Sequence, residues 1–221
     1  MKIGKEGTVS SVYFPERDAV KLVSTPTSDI FDTDITDPVK VSFYNGSKVI
    51  DALSHFNGDV QGKIKYSEID GELMASDFTL QNEDLQINLA CADPSLSFME
   101  MSKEETDRAF GTEDSIFKFD LLTTHVDKMK SLFNLEREED TFTLAVNEKG
   151  IAVQGLSYDA TLAHTYEGDG AEGQKVVIYK KYINLLDKEN YKVIVCSNKV
   201  VFKSLDTNTH LTVAVAITDE D

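Results

Sequence analysis

The chain has 221 residues, 41% hydrophobic and 9% aromatic, enough for one large core or two of roughly 100 residues each and too many for wholesale disorder. Its 39 acids against 22 bases give a net charge of −17, which excludes tight gripping of nucleic acid through clustered Lys and Arg. Such a chain either never meets nucleic acid or holds it without tight contacts. No apolar run approaches the ~18 residues of a membrane span, and the start Met1-Lys2-Ile3-Gly4 does not have the apolar stretch expected of a secretory signal. Cys91 and Cys196 lie in separate apolar, strand-like runs. The expectation is a cytoplasmic protein with two buried thiols and no membrane association.

In chain order, residues 1–40 read least clearly. "KEGTVSSVYF" (5–14) suggests a short helix, "AVKLVS" (19–24) and "SDIFDTDIT" (28–36) suggest strands, and Pro26 and Pro38 break anything longer. "SKVIDALSHF" (47–56) then places Val49, Ala52, Leu53 and Phe56 on one helical face. Strands follow at 63–69, 72–78 and 85–91, with a turn at Asp70-Gly71. Residues 94–115 are charged and lack strand alternation, which reads as an interdomain connector whose Leu96, Phe98, Met99 and Met101 lie against protein.

Beyond the connector, "IFKFD" (116–120) is a strand. Leu122, Val126, Met129 and Phe133 share a helical face, with Thr124 and Asp127 spaced as a capping box. Strands are expected at 141–146, 151–157 and 160–167, and "KVVIY" (175–179) reads as another. A last helix puts Tyr179, Ile183 and Leu186 on one face, before strands at 191–196, 200–205 and 210–217. A helix followed by three antiparallel strands thus occurs three times. Val49 and Phe56 align with Val126 and Phe133 without a gap, and the turn glycines Gly71 and Gly150 follow with two extra residues in the second copy. Duplication follows: two similar α+β domains, 1–93 and 116–221, joined by 94–115.

Motifs for catalysis and metal binding fail on context. Gly168 to Gly173 fits G-x-G-x-x-G, but a strand rather than a helix follows, and Asp169 and Glu172 would repel phosphate. His55, His125, His164 and His210 are scattered, and "DTDITD" (32–37) lacks the glycine and glutamate of a calcium loop. We therefore expect no catalytic residue, no cofactor and no metal. Lysines instead recur on the polar helix faces: Lys48 beside Asp51 and His55, Lys128 with Thr124 and Ser131, Lys130 flanking, and Lys181 with Asn184 and Lys188. Each face alone reads as ordinary solvated surface; the repetition in an acidic chain singles them out.

Three stretches, "VKVSFYNGSKVIDALSHF" (39–56), "NLACADPS" (88–95) and most of 117–221, resemble the phage-type DNA polymerase sliding clamp (processivity factor) family. The resemblance implies a DNA-clamp fold with sheets outside and helices on the inner face. It also implies a head-to-tail homotrimer, not an enzyme, in which edge strand 85–91 pairs with 160–167 of the next subunit. Double-stranded DNA would be encircled and touched weakly by Lys48, Lys128, Lys130, Lys181 and Lys188. A DNA polymerase and a clamp loader would dock near Phe98 and Ile217, in the host cytoplasm if the chain is virus-encoded. Enclosure removes the need for a deep electrostatic well, which fits the net charge. The first forty residues depart from the family by one strand, which leaves contacts from Lys2 or Lys5 open. The competing expectations are a β-rich viral structural or adaptor protein with no DNA role, and a hydrolase using carboxylates of the acidic loops.

Overall fold

In a computed structural model of the chain, the structure describes residues 2–4, 7–13, 18–26, 28, 37–93, 101–168 and 171–216. It is α+β and mostly sheet. Two compact units emerge, one of Met1–Ser11 with Val23–Glu100, the other of Val12–Leu22 with Met101–Asp221. The second unit therefore draws in residues 12–22 from the start of the chain.

The first unit opens with β1 (Lys2–Ile3) and β2 (Thr8–Tyr13), which pair antiparallel. Where 5–14 suggested a helix, the described part is a strand. Four of the six residues of "TVSSVY", Thr8, Val9, Val12 and Tyr13, are β-branched or aromatic, and Thr8 and Val9 pair with β1. β3 (Ala19–Thr25) follows and crosses the division between the units. Most of the strand expected at 28–36 lies outside the described residues.

β4 (Val39–Lys40) leads to helix α1 (Ser47–Leu53) and then to β5 (Gln61–Ile69), β6 (Glu72–Gln81) and β7 (Gln86–Ala90). β6 pairs along its length with β5, and its other side takes β4 and then β7. Asp70 and Gly71 both have positive φ, 53° and 82°, the conformation of a tight hairpin turn. Two small clusters form the core: Ile3, Val39, Val41 and Ala75 in one, Ala52, Phe56 and Leu80 in the other.

The second unit holds α2 (Lys103–Phe110), inside the stretch read as a connector. Its Ser102 and Glu105 form a capping box, an S-x-x-E signal that the charged composition obscured. β8 (Ser115–Leu121) precedes α3 (Thr123–Phe133), then β9 (Thr141–Asn147), β10 (Gly150–Gln154), β11 (Asp159–Ala163) and β12 (Lys175–Tyr179). The short α4 (Lys180–Ile183), β13 (Tyr191–Cys196), β14 (Lys199–Ser204) and β15 (Asn208–Ala214) complete it. One sheet runs β11-β10-β9-β12, the other β3-β15-β14-β13-β8. The large cluster of this unit has Phe117, Phe119, Val126, Met129, Ile151, Ile178, Tyr182, Val193 and Phe202 among its members, and a smaller one joins Phe110, Ile194, Cys196 and Val201.

The start of α3 differs from expectation. Thr124 and Asp127 do not cap it. The backbone N–H of Leu122 donates to His125 Nδ1 at 3.2 Å, and that of Thr123 to Asn190 Oδ1 at 3.1 Å. A partner 67 positions away in sequence outcompetes the local box. Both cysteines are free, Cys196 buried and Cys91 only half-buried.

Candidate nucleic-acid interface and subunit edges

α3 and α4 of the second unit pack against each other, and each is anchored by apolar residues facing the sheets. Val126 and Met129 are buried on α3, Tyr182 and Ile183 on α4. That leaves Thr124, Asp127, Lys128 and Ser131 exposed on α3 and Lys181 on α4. Between them lies a cleft of about 820 Å³ lined by four cations, Lys130, Arg137, Lys180 and Lys181, and four carboxylates, Asp18, Glu136, Glu139 and Asp140.

Lys180 and Lys181 are held firmly. Lys180 Nζ donates to the Glu136 carbonyl oxygen at 2.7 Å and sits 5.5 Å from the Phe133 ring centroid. Lys181 Nζ pairs with Asp18 Oδ2 at 3.0 Å and lies 5.3 Å and 5.1 Å from the Tyr179 and Tyr182 rings. The same Asp18 oxygen accepts from the Tyr182 hydroxyl. Glu136 accepts from the backbone N–H groups of Leu156 and Ser157, and hydrogen bonding, from Ser157 first, holds its carboxyl below the usual range. Asp18 was not legible as part of this site, because its partners are over 160 positions away.

The structure brings together Lys130 and Lys181 of the expected basic residues. Lys128 is exposed on α3 outside the cleft, and Lys48 is exposed on α1 in the first unit. Lys188 is a correction. Helix α4 ends at Ile183 and gives way to a turn, so Lys188 lies in an exposed bend rather than on a helix face. Past the helix the N–H groups of Asn184, Leu185 and Leu186 bond three residues back, to Lys181, Tyr182 and Ile183, and Asp187 N–H donates to the Tyr191 hydroxyl at 2.9 Å. Among the described residues, Lys48, Lys128, Lys130 and Lys188 make no ion pair. Phe98 and Ile217 lie outside the described residues, as do Lys5 and Asp169.

This arrangement suits weak, salt-sensitive contact with phosphates. Balanced cleft charges give no deep attractive well, while exposed lysines on flexible stems can exchange partners rapidly. No cluster of three or more His, Cys, Asp or Glu able to hold a metal occurs among the described residues.

Among the described strands five lie at sheet edges with one partner strand each, β5, β7, β8, β11 and β12. β7 pairs only with β6, and β11 only with β10, among the described strands. Each is five residues long. Unpaired N–H and C=O groups along such edges are ready to accept another strand.

No protein-family model matches the sequence, and no curated protein resembles it in sequence. The likeness is one of fold, and it is to PCNA and beta clamps. The chain superposes on a structure of the PCNA2–PCNA3 complex from Sulfolobus tokodaii with TM-score 0.64 and 12% identity, covering 97% of this chain and 88% of that one. PCNA of A. fulgidus bound to the C-terminal region of FEN-1 matches with TM-score 0.64 and 12% identity, over 99% and 89%. The Helicobacter pylori beta clamp bound to a DNA ligase peptide matches at TM-score 0.59 and 12% identity, covering 100% of this chain and 58% of that longer one. The chain has the PCNA and beta-clamp fold.

Proposed function

We propose that the chain is a subunit of a DNA sliding clamp of the phage type, a processivity factor that encloses duplex DNA and tethers a DNA polymerase. The observation that carries this reading is a clamp fold in which each compact unit has a five-residue strand, β7 or β11, paired on one side only. Pairing β7 of one subunit with β11 of the next extends both sheets and repeats head to tail. With two units per subunit, three subunits close a six-unit ring. Lys48, Lys128, Lys130, Lys181 and Lys188 then serve as weak phosphate contacts, and the ring is retained by closure rather than affinity. The solved clamps include complexes with FEN-1 and DNA ligase peptides, which supports docking of partner proteins here too. The polymerase and a clamp loader are assigned to the neighbourhood of Phe98 and Ile217.

The decisive measurement is native mass spectrometry combined with retention on DNA. The expected result is a three-subunit species that loader action places on closed circular DNA and that is lost when the circle is cut. A chain that stays monomeric at micromolar concentration sinks the reading. Charge reversal of Lys48, Lys128 and Lys188 together should leave the trimer intact and abolish polymerase stimulation. Unchanged stimulation would instead favour an assembly or adaptor role without DNA.

A further inference from the structure

Residues 18–21 staple α4 at both of its ends. Asp18 meets Lys181 in its first turn. Just past its end, Lys21 Nζ donates to the Leu185 carbonyl at 3.1 Å and pairs with Asp187 at 2.7 Å. Asp18 is itself pinned. Its backbone carbonyl accepts from Ala214 N–H of β15 at 2.7 Å, and its Oδ2 accepts from the hydroxyl of Tyr182, a buried residue. A carboxylate fixed through its backbone and through a buried phenol has lost most of its freedom before any lysine reaches it. The Lys181 side chain, in contrast, remains 49% exposed, against 21% for Asp18.

The four cations of the cleft are therefore not equivalent. Lys130 and Arg137 make no ion pair among the described residues. Lys180 is held by a carbonyl oxygen and a ring, both neutral, so its charge stays available. Lys181 faces a carboxylate at 3.0 Å. It can bond a phosphate oxygen only by loosening that pair, and the contact is weakened by what the pair is worth. For a partly exposed pair this is a few-fold in affinity, too little to abolish the contact and enough to shorten it.

We propose that Asp18 is a positioning residue whose carboxylate stands on Lys181 where a DNA phosphate would, and so sets how weakly this lysine holds the duplex backbone. The inference rests on the DNA reading above. Glu139 supplies the contrast. It lines the same cleft, is exposed and makes no ion pair among the described residues, so it adds negative charge without competing for one particular lysine.

The test is equilibrium binding of the full chain to a short linear duplex over a series of salt concentrations. Asp18→Asn keeps an oxygen for the Tyr182 hydroxyl and removes the charge. It should tighten binding about two- to fivefold at low salt. It should also steepen the log–log salt dependence by about 0.9, the value of one added phosphate contact. In a Lys181→Gln background the same substitution should leave affinity within about 1.5-fold, and so should Glu139→Gln in the parent, which changes net charge equally. A second measurement needs no variant: under limiting amine acylation read by mass spectrometry, Lys181 of the parent should react more slowly than Lys128. Retention on closed circular DNA reads the ring separately. A chain never retained on circles that still shows the Lys181-dependent gain on linear duplex keeps this proposal and loses the clamp. The proposal is overturned by unchanged or absent duplex binding in Asp18→Asn, by an equal gain without Lys181 or from Glu139→Gln, or by Lys181 reacting as fast as Lys128.

Discussion

The two compact units are built from the same strand-helix-strand grammar and close their cores to different degrees. In the second unit, residues from both sheets and from α3 and α4 merge in one large cluster beside a smaller one at α2, and its strands are buried on their inner faces almost without exception. In the first, burial divides into two clusters of four and three residues. There α1 leaves Ile50 70% and Leu53 45% exposed, although the helical periodicity assigned Leu53 to the core face. Periodicity tells which residues can share a face; a second layer must be present before that face is buried. In the second unit α4 supplies that layer beside α3.

The largest expected difference between the units concerns core truncation. Phe202→Ala, deep in the merged cluster, should cost about 3–5 kcal/mol. Phe56→Ala, at the edge of a three-residue cluster that can relax, should cost about 3 kcal/mol or less. Urea unfolding followed by a probe in each unit tests this, and equal losses would mean that the first unit is as well packed as the second.

Next come the matched turn glycines. A Cβ on Gly150, at φ +114°, would stand 2.2 Å from the Ala163 carbonyl oxygen, whereas one on Gly71, at φ +82°, meets nothing within 4 Å. Gly150→Ala should therefore cost more than about 3 kcal/mol, combining strain with collision. Gly71→Ala carries the strain alone, on the order of 1 kcal/mol. Similar melting shifts for the two would contradict the close approach of β11 to the β9–β10 turn.

The smallest effect is one of pH. The α1 start is served by Asn45 Oδ1, which accepts from Ser47 N–H at 3.0 Å and does not titrate. The α3 start relies on His125 Nδ1, and burial first, then Lys128 and His164, holds this imidazole below its ordinary value of 6.5. The folded state thus favours neutral His125. Its contribution is complete above that ordinary value and disappears as the pH falls through the lowered one. Amide exchange in the first turn of α3 should accelerate on acidification by an amount matching the loss of a cap, about 1 kcal/mol, while α1 stays unchanged. His125→Gln should flatten the response; a profile that persists in this variant would remove His125 as its cause.

Much of the fold was legible because strands and turns are local statements. The strands at 175–179 and 191–196 occupy the expected residues, and Asp70-Gly71 turns as its composition requires. What escaped was decided elsewhere in the chain. The helix inside the supposed connector exists because β13 and β14 offer Phe110 a landing place. The last helix stops at Ile183, and Asp187 beyond it is bound by the Tyr191 hydroxyl instead of continuing the helix. The charge-balanced cleft includes Asp18, which no spacing connects to Lys181.

The amino-acid order by itself determined the period of each element, the turn positions and the lysines left on polar helix faces, since these depend on neighbours a few residues apart. Only the tertiary structure decided which apolar faces find a second layer, which strand edges stay unpaired and which lysines are tied to carboxylates. Those outcomes rest on contacts between residues 60 to 160 or more positions apart, and such pairings leave no periodic trace in the chain that makes them.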